Sequence, residues 1–564
     1  MARFGGQQME ALLNRMQIDE SMPIENRLVD RVVEQSQSRV EGANFDVRKH
    51  LLEYDDVLNT QREKIYQQRE RIFRKEDLSE DVTDMLVTEV ENRIQNTFWE
   101  VDEPIDTDRG WKFLSWVSQT QPNLNFGDDR FASYAVHLIL EEIKDRVDET
   151  APDQVRPILL ELAGETLAAE EEYILGSVDQ ILEDRRVHFQ EQLENRVETL
   201  DAFLDGLSLE GEGQKPPAIN EIEEELNQLL RIHVELPDSH WQELRDEGSF
   251  AVRDQIRDQV AGYLKGLEVK RLVGAAERIM GEPLELEDAD LEGKDWDQVR
   301  EGLSREIHTV FEDRRERYLG DPQDGLIIKD ITTTFNNYSD GPLEDGQLME
   351  VMGEMAEGKR ATFDKKSHRR VWLRTKRLNY TFYAAELVSR TTPGALQEDV
   401  IQHLVTAQQK ILQAWGESEA DRLSNVPLAG LEDLEAMLQD HVGTNVLQDH
   451  ASVQIGELPE GIEDQVKNVL GRAALSQIYR ELLLRVISEL WVEYLTEMEA
   501  LRVSIGLEAY AQRDPLVQYK TKGFEMFQNL MRDMRMTVVN RMFTFQPRDV
   551  SSVRTAIKEG VLGS

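Results

Sequence analysis

The stretch LWVEYLTEMEALRVSIGLEAYAQRDPLVQYKTKGFEMF (Leu490–Phe527) reads as two helices joined by a short loop. From Glu481 onward, the residues Leu483, Ile487, Leu490, Tyr494, Leu495, Met498 and Leu501 recur at helical spacing and make one apolar stripe. Gly506 is placed to stop that helix, because a glycine takes a left-handed cap without Cβ strain. After the loop Leu507–Arg513, Asp514 offers an N-cap carboxylate and Pro515 fits the first helical position, where its missing N–H is no loss. The second helix, Leu516 to about Phe543, carries Tyr519, Phe524, Phe527, Leu530, Met531, Met534 and Val538. The expectation is an antiparallel pair of helices of about 25 residues each, roughly 40 Å long, with Tyr510, Gln512 and Arg513 at its tip.

The other end of the chain reads as one long helix. No proline occurs in 24–103, 460–514 or 516–546, so long helices are allowed at both ends, whereas the middle is broken more often. From Pro23 to about Lys75 a seven-residue pattern runs through Val33, Val40, Val47 and Tyr54, with Leu51, Leu58, Ile65 and Ile72 as a second row. Such a seam marks a helix with one packing face, about 75 Å long. Gly42 weakens it modestly. A seam of that length needs a partner along it.

Charge separates the ends from the middle. The 564 residues hold 65 Lys and Arg against 110 Asp and Glu, a net charge of −45, and no cysteine. Residues 1–75 are net zero and residues 480–564 are net +1, so the excess of acid belongs to 76–479. That balance argues against nucleic acid as a partner. An acidic surface keeps a large helical domain in solution; it also attracts basic partners. Without cysteine there is no disulfide framework, thiolate metal site or cysteine nucleophile. The N-terminus lacks a signal-peptide layout and no stretch is apolar enough to span a bilayer, so a soluble, cytoplasmic chain is expected.

Few residues suggest chemistry. Asp288, Asp290, Glu292 and Gly293 fit the opening positions of a calcium loop, but Val299 stands where a bidentate Glu is required, so an acidic helix start is the plainer reading and no metal site is expected. The glycine-lysine pairs Gly293-Lys294 and Gly358-Lys359 lack the spacing and the Ser or Thr of a phosphate loop. No catalytic residues are expected. One basic island, Lys365–Leu387, interleaves Arg369, Arg370, Arg374, Lys376 and Arg377 with Trp372, Tyr380, Phe382 and Tyr383. An internal basic helix paired with surrounding acid is the plainer reading; the mix also suits an anionic membrane surface or channel contact, or base stacking beside phosphates. Thr332-Thr333-Thr334-Phe335 is the best strand candidate. The fold class expected is mainly α, with a large acidic helical insertion and minor β structure.

EGANFDVRKHLLEYDDVLNTQREKIY (Glu41–Tyr66) and Leu490–Phe527 closely resemble the helical scaffold of SecA, the motor of bacterial preprotein translocase. PIENRLVDRVVEQSQSRV before them is similar too, and Phe4-Gly5-Gly6 resembles the end of that family's second motor domain. The resemblance implies a remnant of that motor domain in 1–8, the long scaffold helix in 9–75, an enlarged helical wing in 76–479, a two-helix finger in 480–546 and a loose tail in 547–564. It implies that the finger reaches the SecYEG channel and that Tyr510, with Gln512 and Arg513, touches the translocating preprotein, while Gly506, Asp514 and Pro515 shape the turn. Glu508-Ala509 replace an arginine-glycine pair common in the family.

The family binds ATP and magnesium in motor domains that have no counterpart here, so the chain itself is expected to hold no cofactor and to lack ATPase activity, as a C-terminal fragment or split product would. The implied partners are the SecYEG channel, a preprotein and a separate motor half; the implied location is the cytoplasmic, inner face of the bacterial plasma membrane, held peripherally. Two other expectations stand beside this one. The chain could be an acidic helical interaction or chaperone-like module detached from any motor, or an incomplete record of a full translocase.

Overall fold

The computed structural model describes residues 27–98, 104–127, 129–209, 218–247, 249–286, 291, 293–320, 325–338, 341–364, 369–505 and 514–545. Helices dominate, and the described strands form only two two-stranded antiparallel sheets. The described residues pack as two units, one within Met1–Asn96, Gln119–Pro122 and Gln397–Ser564, the other within Thr97–Ser118 and Asn123–Leu396.

The first unit is built on three long helices, α1 (Arg27–Arg74), α16 (Glu460–Ser504) and α17 (Pro515–Arg541), joined by α2 (Ser79–Thr97), α13 (Pro393–Arg422), α14 (Glu435–His441) and α15 (Thr444–Asp449). The heptad seam of α1 finds its partner in α16 and α17. Ile65 and Ile72 are buried, and Val40, Tyr54 and Leu58 are half-buried; the side chains of Val33, Val47 and Leu51 lie outside the described residues. The first finger helix is longer than its apolar stripe suggested. It starts at Glu460 rather than near Glu481, because nothing between Pro459 and Ile505 breaks it.

The end of α1 is held from the far end of the chain. Arg480 on α16 donates from Nε to the carbonyl of Ile72 (3.1 Å) and from Nη2 to that of Lys75 (2.6 Å), satisfying carbonyls that the last helical turn leaves open. Asp77 then accepts the N–H of Ser79 (2.8 Å) at the start of α2 and pairs with Arg472 (3.0 Å). Residues 76–96 and 397–479 pack within this unit, with α1.

The second unit has α5 (Pro152–Leu209) as its spine, 58 residues and thus roughly 87 Å. Around its first half sit α3 (Thr107–Thr120), α4 (Tyr134–Arg146), α9 (Trp296–Leu319), α10 (Leu326–Phe335), α11 (Asp345–Ala356) and α12 (Thr381–Val388), with hairpins β1–β2 (Leu124–Phe126, Asp129–Phe131) and β3–β4 (Glu357–Asp364, Arg369–Lys376). A second, smaller core gathers Leu200 and Leu204 of α5 with α6 (Ile219–Leu230), α7 (Asp238–Glu247) and the first half of α8 (Phe250–Met280). The helices α5 and α8 run antiparallel and are joined by ion pairs: Arg257 to Asp201 (2.7 Å) and Arg253 to Asp205 (3.0 Å) beside the smaller core, and Arg185 to the buried Glu268 (3.4 Å) between the cores.

Two sequence expectations are overturned here. Thr332–Phe335 is helical, the last turn of α10, and not a strand. The hydroxyls of Thr332, Thr333 and Thr334 each donate to the carbonyl four residues back, at 2.8, 2.8 and 2.9 Å, which meets their polar need inside a helix. The basic part of the island is not a helix either; only its end, from Thr381, is helical, in α12. Arg369–Lys376 form β4, paired with Glu357–Asp364 in register from Glu357 opposite Lys376 to Asp364 opposite Arg369. Asp295 caps α9, accepting from the N–H of Gln298 at 2.8 Å, and Gly293 before it takes a left-handed φ of 75°. Asp288, Asp290 and Glu292 lie outside the described residues.

Candidate functional site

The long helix α1 has two unlike faces. On the inner face, Gln61 is buried and its Nε2 donates to the carbonyl of Gly523 on α17 at 3.1 Å, while Tyr494 of α16 donates from its hydroxyl to Gln61 Oε1 at 2.7 Å. Burial, then the neighbouring Tyr519, push the Tyr494 phenol far above its ordinary pKa, so it stays a donor. Tyr54 meets Tyr519 edge-on at 4.7 Å between ring centroids. A Cβ at Gly523 would lie 3.1 Å from Met498 Cε, so the glycine lets the three helices close up. One polar knot thus ties the N-terminal helix to both helices of the finger.

The outer face carries a second row of seven-residue spacing. Phe45, Leu52, Tyr66 and Phe73 are 67, 68, 59 and 44 % exposed, with Asn59 filling the missing step. Scattered exposed apolar residues are ordinary, but a row along one helix is the form a docking surface takes. From Phe45 to Phe73 it extends roughly 42 Å.

At the finger, the expected start of the second helix is present. Asp514 Oδ1 accepts from the N–H groups of Leu516 (2.9 Å) and Val517 (3.4 Å), and Pro515 occupies the first position. Val503 and Val517, near the helix ends at the turn, and Phe524 further along the second helix are exposed. Gly506, Tyr510, Gln512 and Arg513 lie outside the described residues.

The basic residues of the second unit are only partly free. Arg377 is mostly buried and pairs with Asp330; Arg374 is exposed and pairs with Glu357 at 3.2 Å. Both line a cleft of about 720 Å³ that also holds Arg130, Glu350 and Glu354. Arg370 and Lys376 are exposed on β4, and the side chains of Arg369 and Trp372 lie outside the described residues. Among the described residues no group of His, Asp and Glu could hold a metal ion, and no helix is long and apolar enough to cross a membrane.

The outer row of α1 is the feature missed by sequence reasoning. Its signal was available, since it has the same spacing as the seam one residue before it (Leu51, Leu58, Ile65, Ile72), but the polar Asn59 interrupts it.

Residues 23–220 and 372–546 match the model of the SecA wing and scaffold domain, which is more than half of the chain. This chain belongs to the SecA wing and scaffold family. It is 32 % identical over 214 residues to the protein translocase subunit SecA of Syntrophus aciditrophicus (strain SB), covering 38 % of this chain and 24 % of that protein. The SecA subunit of Syntrophomonas wolfei subsp. wolfei is 30 % identical over 224 residues, covering 39 % and 25 %, and that of Heliobacterium modesticaldum is 32 % identical over 219 residues, covering 39 % and 24 %. The chain spans about a quarter of the length of these curated SecA relatives. The SecA match skips 221–371, which holds nearly all of α6, all of α7 through α11, β3 and the first three residues of β4.

Proposed function

We propose that this SecA-type chain acts as the scaffold, wing and finger of a protein translocase, passing ATP-driven motion of separate motor domains to a preprotein in the SecYEG channel. The observation that carries the reading is the outer row of α1. Phe45, Leu52, Tyr66 and Phe73 offer a long apolar surface on the helix whose inner face is tied to the finger through Gln61, Tyr494 and Gly523. A motor body seated on that row would move the finger with the helix.

In this reading the first unit is scaffold and finger and the second is wing. Tyr510, Gln512 and Arg513 meet the preprotein, with the turn set by Gly506, Asp514 and Pro515; an aromatic ring with a polar edge suits contact with a passing chain of any sequence. ATP and magnesium belong to the motor domains, and this chain hydrolyses nothing alone. It works in the cytoplasm, peripherally at the inner membrane face, where Arg369, Arg370, Trp372, Arg374 and Lys376 face anionic lipid or the channel. Arg377 has less freedom to do so, being committed to Asp330.

The test is to mix the chain with separately expressed SecA motor domains and read association and steady-state ATPase in one tube. A complex with altered ATPase supports the reading; no complex contradicts it. A second reading, an acidic interaction module, is favoured by the gap in the family match at 221–371, where part of the chain has a core of its own. Capture of an unfolded polypeptide without motor domains would favour it.

A further inference from the structure

In the first unit, the last turns of α1, the first half of α2 and the second half of α17 stand around a cleft of about 530 Å³. Leu78, Leu483, Ile487 and Val538 line it with buried apolar side chains, and Met85 and Met531 flank them half-buried. Methionine is flexible and fills irregular gaps, so such a lining adapts to an apolar partner. The rim is polar, with Arg71 paired to Asp81 at 2.6 Å and Arg532 exposed. An apolar trough with a polar rim is the form that receives a helix with one apolar face.

The chain beyond α17 supplies an occupant of that kind. Residues 546–564 lie outside the described residues, and the family match ends at 546. In their sequence, QPRDVSSVRTAIKEGVLGS, the residues Val550, Val553, Ile557 and Val561 stand three, four and four apart, the repeat of one helical face. Asp549 before them is a helix-start carboxylate, and Pro547 lacks the N–H that would carry α17 onward. A helix from 550 to 561 measures roughly 17 Å, against roughly 15 Å for Gln528–Val538, the part of α17 that lines the cleft. Since α17 ends at Arg541, residues 542–549 are left for the turn, about the upper length that joins packed helices.

We propose that residues 549–562 fold back on α17 as an amphipathic helix and bury Val550, Val553, Ile557 and Val561 in the cleft. Four aliphatic anchors on a free peptide bind weakly, but a tethered segment faces its site at an effective concentration on the order of millimolar. The docked segment bridges α17, α2 and the end of α1, and so holds the finger against the helix it is tied to. The occupant is the chain's own tail, acting within one molecule.

The experiment uses the full-length chain, which has no cysteine and 16 methionines. Ser552→Cys, on the face opposite the apolar stripe, then takes a nitroxide at a single site, and the methionine methyls carry ¹³C. Met85→Leu and Met531→Leu assign the two cleft signals. With the nitroxide oxidised, both signals should lose most of their intensity relative to the reduced label. Adding Val553→Asp and Ile557→Asp should restore them and shift both, while the methionine signals away from the cleft stay in place, which shows that the fold is kept. A mixture of ¹³C-labelled chain without nitroxide and unlabelled chain with it should show no loss. Undiminished cleft signals in the self-labelled chain, or a loss that survives the two Asp substitutions, would overturn the proposal. An equal loss in the mixture would also overturn it, because a second copy would then supply the tail.

Discussion

Gly416 of α13 and Gly471 of α16 face each other with backbone against backbone. A Cβ on Gly416 would lie 2.2 Å from the carbonyl oxygen of Lys467, and one on Gly471 would lie 2.2 Å from that of Leu412. These obstacles are main chain and cannot swing aside, so the crossing requires both glycines. Gly416→Ala or Gly471→Ala should each destabilise the first unit by about 1–3 kcal/mol or more, as overpacking does. Gly42 of α1 has no atom within 4 Å of its Cβ position, and Gly42→Ala should stabilise by about 0.5–1 kcal/mol. Denaturant midpoints of the three variants check the opposite signs.

The knot of Gln61, Tyr494 and Gly523 makes a second prediction. Tyr494→Phe removes the hydroxyl that donates to Gln61 Oε1 and leaves a buried acceptor short of a partner, at a cost of about 1–3 kcal/mol. The ring packing on Trp491 and Phe527 is retained, so the loss reports the hydrogen bond. A double-mutant cycle with Gln61→Leu should give a coupling well away from zero; additive losses would show that the two side chains act separately.

Arg480 should decide whether the end of α1 is fixed. Its burial pulls the guanidinium below its ordinary pKa, yet it donates to one carbonyl of α1 and to one in the turn after it. Arg480→Ala should speed amide hydrogen exchange over the last turns of α1 and the start of α2 before it affects the second unit. Uniform acceleration over the whole chain would mean a global loss instead.

His308 provides a pH test in the second unit. Its Nδ1 lies 2.7 Å from Glu171 Oε1, and Nε2 lies 3.3 Å from Glu312. The hydrogen bond to Glu171, then that carboxylate's charge, raise the histidine above its ordinary 6.5. A raised folded-state value means that the protonated ring stabilises the fold. The contribution is complete below pH 6.5 and is lost as pH rises through the raised value. His308→Gln should therefore melt below the wild type in mild acid and converge with it at alkaline pH. The ring is exposed, so the gap should be small and should shrink with salt.

What the sequence made legible was local or strictly periodic. The Asp514-Pro515 start of α17 needs only neighbouring residues, and it stands where it was expected. The seam of α1 needs only a repeat, and Ile65 and Ile72 are buried as expected. The failures came where a distant or hidden partner decides. Thr332–Thr334 have strand-like side chains, but their hydroxyls bond back along the helix. The basic island pairs with a strand only because Glu357–Asp364 precede it, and sheet pairing leaves little trace in one strand alone. Arg480, the latch of α1, is about 400 residues away from it in sequence, and no local pattern could have joined them. The outer row of α1 was legible in principle; the buried row beside it has the same period and masked it.

The most direct test of the central claim is the affinity of this chain for separately expressed SecA motor domains, measured for the wild type and for a variant with Phe45→Gln, Leu52→Gln, Tyr66→Gln and Phe73→Gln. All four positions are exposed, so the variant should keep its fold and its melting temperature. If the outer row seats the motor, the wild type binds and the variant binds about a hundredfold more weakly or not at all, with the change in ATPase lost alongside. Equal binding by the two proteins, or no binding by the wild type, would contradict the account.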